Sequence, residues 1–310
     1  MRLTHGQTVW QPGLIDDYAR FHDLATATGD VDPVYPVLRR LGRNYPPHSL
    51  AWMCFLHVAY YDLGSALRAA SLMLAGQWVP ELLTLPCGTE RRGHRDPRVL
   101  KRHLEALVAL DAHHEGLDRF VTSASGYGDL FGKALSIWGN GRWAAYKTCE
   151  LLASVFGRPE LAPTDMGHAH SSGPRAGLAL LFRGPLPYGH SAAAVRRLNV
   201  VSGMLVDELW RRDLLATQPT TETTLCDFHS LHAGRYYVGH DIDQMGGQLR
   251  RAMKAIGIDA GGAAKSTEEA VLLLRASAAG AVLFPFRWPY DVDKARRRVY
   301  RETGEIIDPR

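Results

Sequence analysis

The 310-residue chain is 46% hydrophobic and 22% charged, with a formal net charge of +4 and a pI near 8.9. These are globular proportions, with ample material for one large domain or two intimate ones. A modestly basic, Arg-heavy balance is compatible with a nucleic-acid partner and does not demand one.

The N-terminal MRLTHGQTVWQPG lacks the apolar core of a signal peptide, and no segment reaches the length of a membrane span. The expectation is a cytoplasmic protein with no membrane partner. Cys54, Cys87, Cys149 and Cys226 lie far apart and form no CxxC pair. That spacing argues against a zinc ribbon or a four-cysteine iron–sulfur cluster and fits reduced thiols.

Helical periodicity dominates the chain. Residues 14–28 set Leu14, Tyr18, Phe21 and Leu24 on one face. Asp32-Pro33 reads as an N-cap with proline in the first turn of a short helix to Leu41, which NYPP at 44–47 stops. A long helix or helix pair runs from about His48 to Leu74, with Gly64, Ser65 and Ala66 suited to close packing. Residues 76–98 form a Pro-containing loop with a basic cluster, Arg91, Arg92, Arg95 and Arg98. Helices follow near 98–112, 116–137 and 142–156, then a loop over 158–175. Further helices fall at 175–182, 191–213, 243–256 and 266–279. Arg235–Gly239 and Ala281–Phe286 read as short extended pieces. The expected fold is all-α, a single compact helical domain over 1–310 with two lobes. One lobe spans about 1–98 with the C-terminal helices, and the other about 99–215.

Two glycines in SIWGNGRW allow a tight turn before a new helix. The free N–H groups at that helix start suit a phosphate, and a guanidinium beside them adds to the attraction. Gly139, Asn140, Gly141, Arg142 and Trp143 are therefore the candidate DNA grip, although GNG also suits a plain turn between antiparallel helices. Asp165 follows in the TDMG loop, either as a turn residue or as a carboxylate that takes a proton or steadies a developing cation. His168 and His170 stand close behind it.

Residues 226–245, CDFHSLHAGRYYVGHDIDQM, hold three histidines, three aspartates, two tyrosines and an arginine. His229, Arg235, His240 and Asp241 are the catalytic candidates there, with Tyr236, Tyr237 and Asp243 as substrate contacts. The ligand types permit a divalent metal, but no recognised metal-site spacing is present, so no residue is assigned to a metal and a divalent ion stays an open alternative to substrate contact without metal. Asp241 or Asp243 equally suits a helix start near Gln244. Tyr60 and Tyr61 offer a stacking surface for a base or a core stripe. The run from Lys294 to Arg298, with Arg301, reads as a solvated helix face or a phosphate contact.

Taken together, DPVYPVL with WMCFLHVAYYDLGSAL, WGNGRWAAYKTCELL, TDMG with SSGPRAGL, and LCDFHSLHAGRYYVGHDIDQM resemble one family. It is that of the phage-associated amino acid:DNA transferases, also called alpha-glutamyl/putrescinyl thymine pyrophosphorylases. The resemblance implies a helical fold distantly similar to helix-hairpin-helix DNA glycosylases. It also implies thymidine hypermodification in double-stranded DNA: a flipped uracil base carrying a pyrophosphorylated 5-hydroxymethyl group exchanges pyrophosphate for an amino acid or polyamine. A separate hydroxymethyluracil DNA kinase would supply that substrate, and a phage-encoded enzyme would act in the host cytoplasm.

On that reading Asp165 is the general base or orients the amine, and Arg235 with His229 or His240 holds pyrophosphate. Asp241 binds the amine or orients a histidine. Trp143 stands where lyase-type glycosylases carry lysine, which argues against a Schiff-base mechanism. Two other readings stay open, an N-glycosylase and a non-catalytic DNA-binding protein.

Overall fold

The computed structural model describes residues 9–258, 267–284 and 293–310. Its helices are α1 (Leu14–Thr28), α2 (Val34–Leu41), α3 (Pro47–Tyr60), α4 (Leu63–Leu74), α5 (Pro97–His114), α6 (Leu117–Thr122) and α7 (Tyr127–Ser136). They continue as α8 (Arg142–Phe156), α9 (Gly173–Leu181), α10 (Ala192–Arg211), α11 (Gln218–His232), α12 (His240–Ala255), α13 (Thr267–Leu283) and α14 (Asp293–Thr303). Among the described residues there is no strand, only an isolated antiparallel bridge between Trp10 and Phe182. The fold is all-α, as the periodicity predicts. No helix among the described residues is long and apolar enough to cross a membrane.

The chain divides into two compact units. One comprises Met1–Asp32, Pro163–His240 and Phe286–Arg310, and the other Pro33–Ala162 and Asp241–Pro285.

In the first unit, α1, α9, α10 and α14 all pack on α11. The core is aromatic: Tyr18 meets Phe228 edge-on with centroids 5.3 Å apart, and Phe21 meets Tyr236 at 6.0 Å. Burying each such ring contributes roughly 1.5–3 kcal/mol. Two glycines one helical turn apart bring α9 against α11. A Cβ on Gly177 would overlap the Leu225 carbonyl oxygen, and one on Gly173 would overlap the Cys226 sulfur. Thr221, Glu222, Thr223 and Thr224 of α11 are all buried. Their polar atoms need partners in such a setting. Thr224 Oγ1 sits 2.9 Å from both Tyr18 Oη and His22 Nδ1, and Thr223 donates to Asp32 at 2.9 Å.

In the second unit α3 is buried without a break from Leu50 to Tyr60 and is surrounded by α2, α4, α5, α6 and α8. It stops at Tyr61, whose φ of 49° is left-handed, and Asp62 caps α4 by accepting from Ser65 N at 2.9 Å. The other carboxylate oxygen of Asp62 pairs with Arg251 of α12 at 2.9 Å. Gly64 lets α12 approach, since a Cβ there would overlap the Gln248 carbonyl. Arg68 is buried between Glu81 and Glu269.

Several local expectations give way. The helix expected over 116–137 is two, α6 and α7, separated near Gly126. Arg235–Gly239 pairs with no strand among the described residues and runs into a turn at Val238 and Gly239, where Asp30 Oδ2 accepts from both Tyr236 Oη (2.9 Å) and Gly239 N (2.6 Å). Residues 281–283 belong to α13, while Pro285 and Phe286 lie outside the described residues, as does the N-terminal stretch 1–8. Pro33, not Asp32, holds the N-cap position of α2. Arg91 is buried, so it does not join the neighbouring arginines in a surface cluster. The helix α11 was absent from the expected set.

Candidate functional site

In the second unit α7 and α8 pack on one another across the turn Ile137–Gly141. Asn140 closes that turn twice. Its backbone N donates to Ile137 O at 3.0 Å, and its side chain donates to Ala134 O, an orphan carbonyl of α7, at 3.0 Å. Gly139 carries a φ of 89°, a conformation that glycine adopts without steric cost. At Gly141 the backbone is extended and offers no side-chain cap to α8. A Cβ built there would meet nothing within 4 Å, and Arg142 beside it is exposed. The start of α8 thus presents uncapped N–H groups, a positive helix end and a guanidinium on open surface. Trp143 lies edge-on to Tyr61 at 5.0 Å, and Tyr61 stacks on His57 at 5.3 Å. Tyr60 is fully buried and donates to Leu82 O at 2.8 Å.

Beneath the turn lies a buried polar knot that the sequence reading did not pick out. Arg91 Nη2 donates to Gly139 O at 3.2 Å and lies 2.8 Å from His94 Nε2 and 3.1 Å from His103 Nδ1. His94 Nδ1 sits 2.6 Å from the Ala59 carbonyl, which only accepts, so Nδ1 carries the hydrogen and Nε2 offers its lone pair to the arginine. Burial, then the Arg91 charge, pushes the His94 imidazole down to about 4, and the same causes hold His103 well below its usual range. Burial draws Arg91 down to about 10, which leaves it cationic at neutral pH. The knot is one cation on two neutral imidazoles. The spacing of Arg91, His94 and His103 around a helix start was its only trace in the sequence.

In the first unit the TDMG loop is a tight turn in which Asp165 Oδ1 accepts from Gly167 N at 2.8 Å. His168 is fully buried, with Nε2 2.6 Å from Ser202 Oγ. Burial first, then the charge of Arg175, pushes its imidazole down to about 4, while Asp165 pulls the other way. Arg175, from the SSGPRAGL stretch, donates to the carbonyls of His168 and Gly189 and straps this loop in place.

The end of α11 and the segment after it collect further candidates of the same unit. His229 is half-buried and its pKa is lowered by desolvation and by Arg235, which is itself exposed. His240 packs against both tyrosine rings, 4.9 Å from Tyr236 and 5.3 Å from Tyr237. Tyr236 is buried on Asp30, and Tyr237 donates to Asp293 at 3.1 Å under the Arg296 guanidinium. Asp30 and the Asp32–Thr223–Glu222 set are polar groups that sequence reasoning missed, although both acids stand in GDVDP just ahead of VYPVL. Asp241 and Asp243 occupy the first turn of α12 in the second unit, where negative charge suits the helix dipole, rather than preceding it as caps. Among the described residues no group of three His, Cys, Asp or Glu side chains is placed to hold a metal ion.

No curated protein matches the chain. The family model described as amino acid:DNA transferase matches residues 26–237, well over half of the sequence. That span takes in the hairpin, the TDMG loop, α11 and the turn through Tyr237. The protein belongs to the amino acid:DNA transferase family, enzymes whose substrates are DNA and an amino acid.

Proposed function

We propose that this transferase replaces the pyrophosphate of a 5-(pyrophosphoryloxymethyl)uracil base in double-stranded DNA with an amine, an amino acid or a polyamine. The observation that carries the reading is the family match over 26–237. The uncapped start of α8 beside Arg142 supports the DNA half of it. A separate kinase acting on hydroxymethyluracil in DNA would supply the activated base.

The bonds balance simply. An ammonium gives one proton to a base, its nitrogen forms a C–N bond to the exocyclic methylene, and the C–O bond breaks with its electrons leaving on pyrophosphate. The uracil ring assists by pushing electrons toward that methylene, and the base must leave the stack to be reached. We assign proton acceptance or amine orientation to Asp165, whose carboxylate is fixed in position by the tight turn onto Gly167 N. Arg235 supplies positive charge for pyrophosphate. His229, whose pKa burial and the Arg235 charge lower, is assigned with Arg235 to the pyrophosphate, and His240 is the alternative partner there. Asp241 and Asp243 are assigned to the amine, Tyr61 and Tyr237 to substrate contact, and Gly139–Trp143 to the DNA backbone.

Asp165→Asn tests the assignment. Transfer should vanish while DNA affinity stays, and full activity in that variant would remove Asp165 from the chemistry.

A further inference from the structure

The loop between α9 and α10 in the first unit is a fixed projection to which the transfer reading assigns nothing. Both of its ends are anchored. On the α9 side Phe182 bridges to Trp10, the two rings lie edge-on at 6.0 Å, and Arg183 N donates to Val9 O at 2.9 Å. On the α10 side Ser191 caps the helix, accepting from Ala194 N at 3.2 Å. Between these ends Pro185 and Pro187 restrict the backbone, and Tyr188 stands 99% exposed. A lone exposed ring carries no meaning by itself. Here Arg175 donates to Gly189 O at 2.7 Å, next to that tyrosine, and to the carbonyl of His168, in the loop that carries Asp165. One guanidinium thus ties the projecting ring to the loop of the assigned carboxylate. The surroundings suit a polyanion. Residues 163–200 hold four arginines and one acid, Asp165 itself, and Arg183, Arg196 and Arg197 are exposed.

We propose that Tyr188 is a wedge that enters the base stack of duplex DNA and fills the gap left by the extruded base. The inference rests on the reading that the base leaves the stack to be modified. A flat ring stacks on bases of any sequence. A side chain inserted at a base step holds that step open. On a loop anchored at both ends, the ring gives up little conformational freedom when it inserts. Tyr188 is a positioning residue: it touches the stack, while the reacting methylene belongs to Asp165 and its partners.

The full chain is titrated with two duplexes, one intact and one with a single abasic tetrahydrofuran site, a gap already open. The wild-type protein should bind the abasic duplex about tenfold more tightly, the order of one base–aromatic stack. Tyr188→Ala should lose that preference while keeping the wild-type melting temperature and salt slope of binding. Tyr188→Phe keeps the ring and should keep the preference. Equal binding of both duplexes by the wild-type protein, or a full preference in Tyr188→Ala, would overturn the proposal. Neither duplex carries a modified uracil or pyrophosphate, so a failure of the transfer reading shows in product analysis and not in this ratio.

Discussion

Arg91 donates to the carbonyl oxygen of Gly139 at 3.2 Å, so the turn that opens α8 is fastened from beneath by a buried guanidinium. The same nitrogen reaches His94 and His103, both neutral. The turn is therefore held by a charge-assisted bond inside the second unit, while its outer side stays open.

Removing that cation strands the Gly139 carbonyl and the His94 lone pair. Arg91→Met should lower stability by about 1–3 kcal/mol, read by chemical denaturation. It should also weaken DNA binding without changing its salt dependence, because Arg91 is buried and touches no phosphate. Arg142→Ala should instead reduce the salt slope by about one, measured by titration at several ionic strengths.

The two hairpin glycines should answer differently to alanine. At Gly139 a Cβ would lie 2.6 Å from His103 Nδ1 on a backbone with φ of 89°. Gly139→Ala should cost about 1–3 kcal/mol. Gly141 has an ordinary φ and open space, so Gly141→Ala should leave the melting temperature unchanged and weaken DNA binding, because the added methyl stands where the proposed DNA grip brings the backbone to a phosphate.

The buried histidines set a pH dependence. In the unfolded chain each takes a proton near pH 6.5, whereas His94 and His168 in the folded chain do so only near 4. Between those values the unfolded state binds more protons, so stability rises with pH across the window and is lost as pH falls through it. The loss is on the order of 3 kcal/mol for each group by about pH 4. Denaturant midpoints measured from pH 7 to 4.5 should fall steadily, and His168→Asn should flatten part of that decline.

Much of the architecture was legible because helix punctuation and apolar spacing are local. Gly29 and Gly157 end α1 and α8 in left-handed caps, and Pro47 and Pro97 open α3 and α5. What escaped depended on distant partners. The run TTETTL is rich in β-branched residues that disfavour helix in isolation. It becomes the N-terminal half of α11 because Tyr18, His22 and Asp32 lie within bonding distance of its hydroxyls and two glycines of α9 admit it. The pattern of RYYV suggests extension, but it pairs with no strand among the described residues, and Asp30, some two hundred positions away, holds Tyr236 and the turn at Gly239. For the candidate site, the sequence marked the hairpin, the TDMG loop and the His- and Asp-rich stretch, but not the groups that hold them, Arg91, Arg175 and Asp30. Those are recognisable only when burial and bonding partners are known.

In the proposed transfer an amine replaces pyrophosphate on a base that stays bonded to its sugar. The direct measurement supplies duplex DNA containing 5-(pyrophosphoryloxymethyl)uracil together with a pool of amino acids and polyamines, digests the product and weighs the nucleosides. An amine-substituted thymidine analogue formed in step with released pyrophosphate is expected. Abasic sites with a free modified base, or unchanged nucleosides, would contradict it.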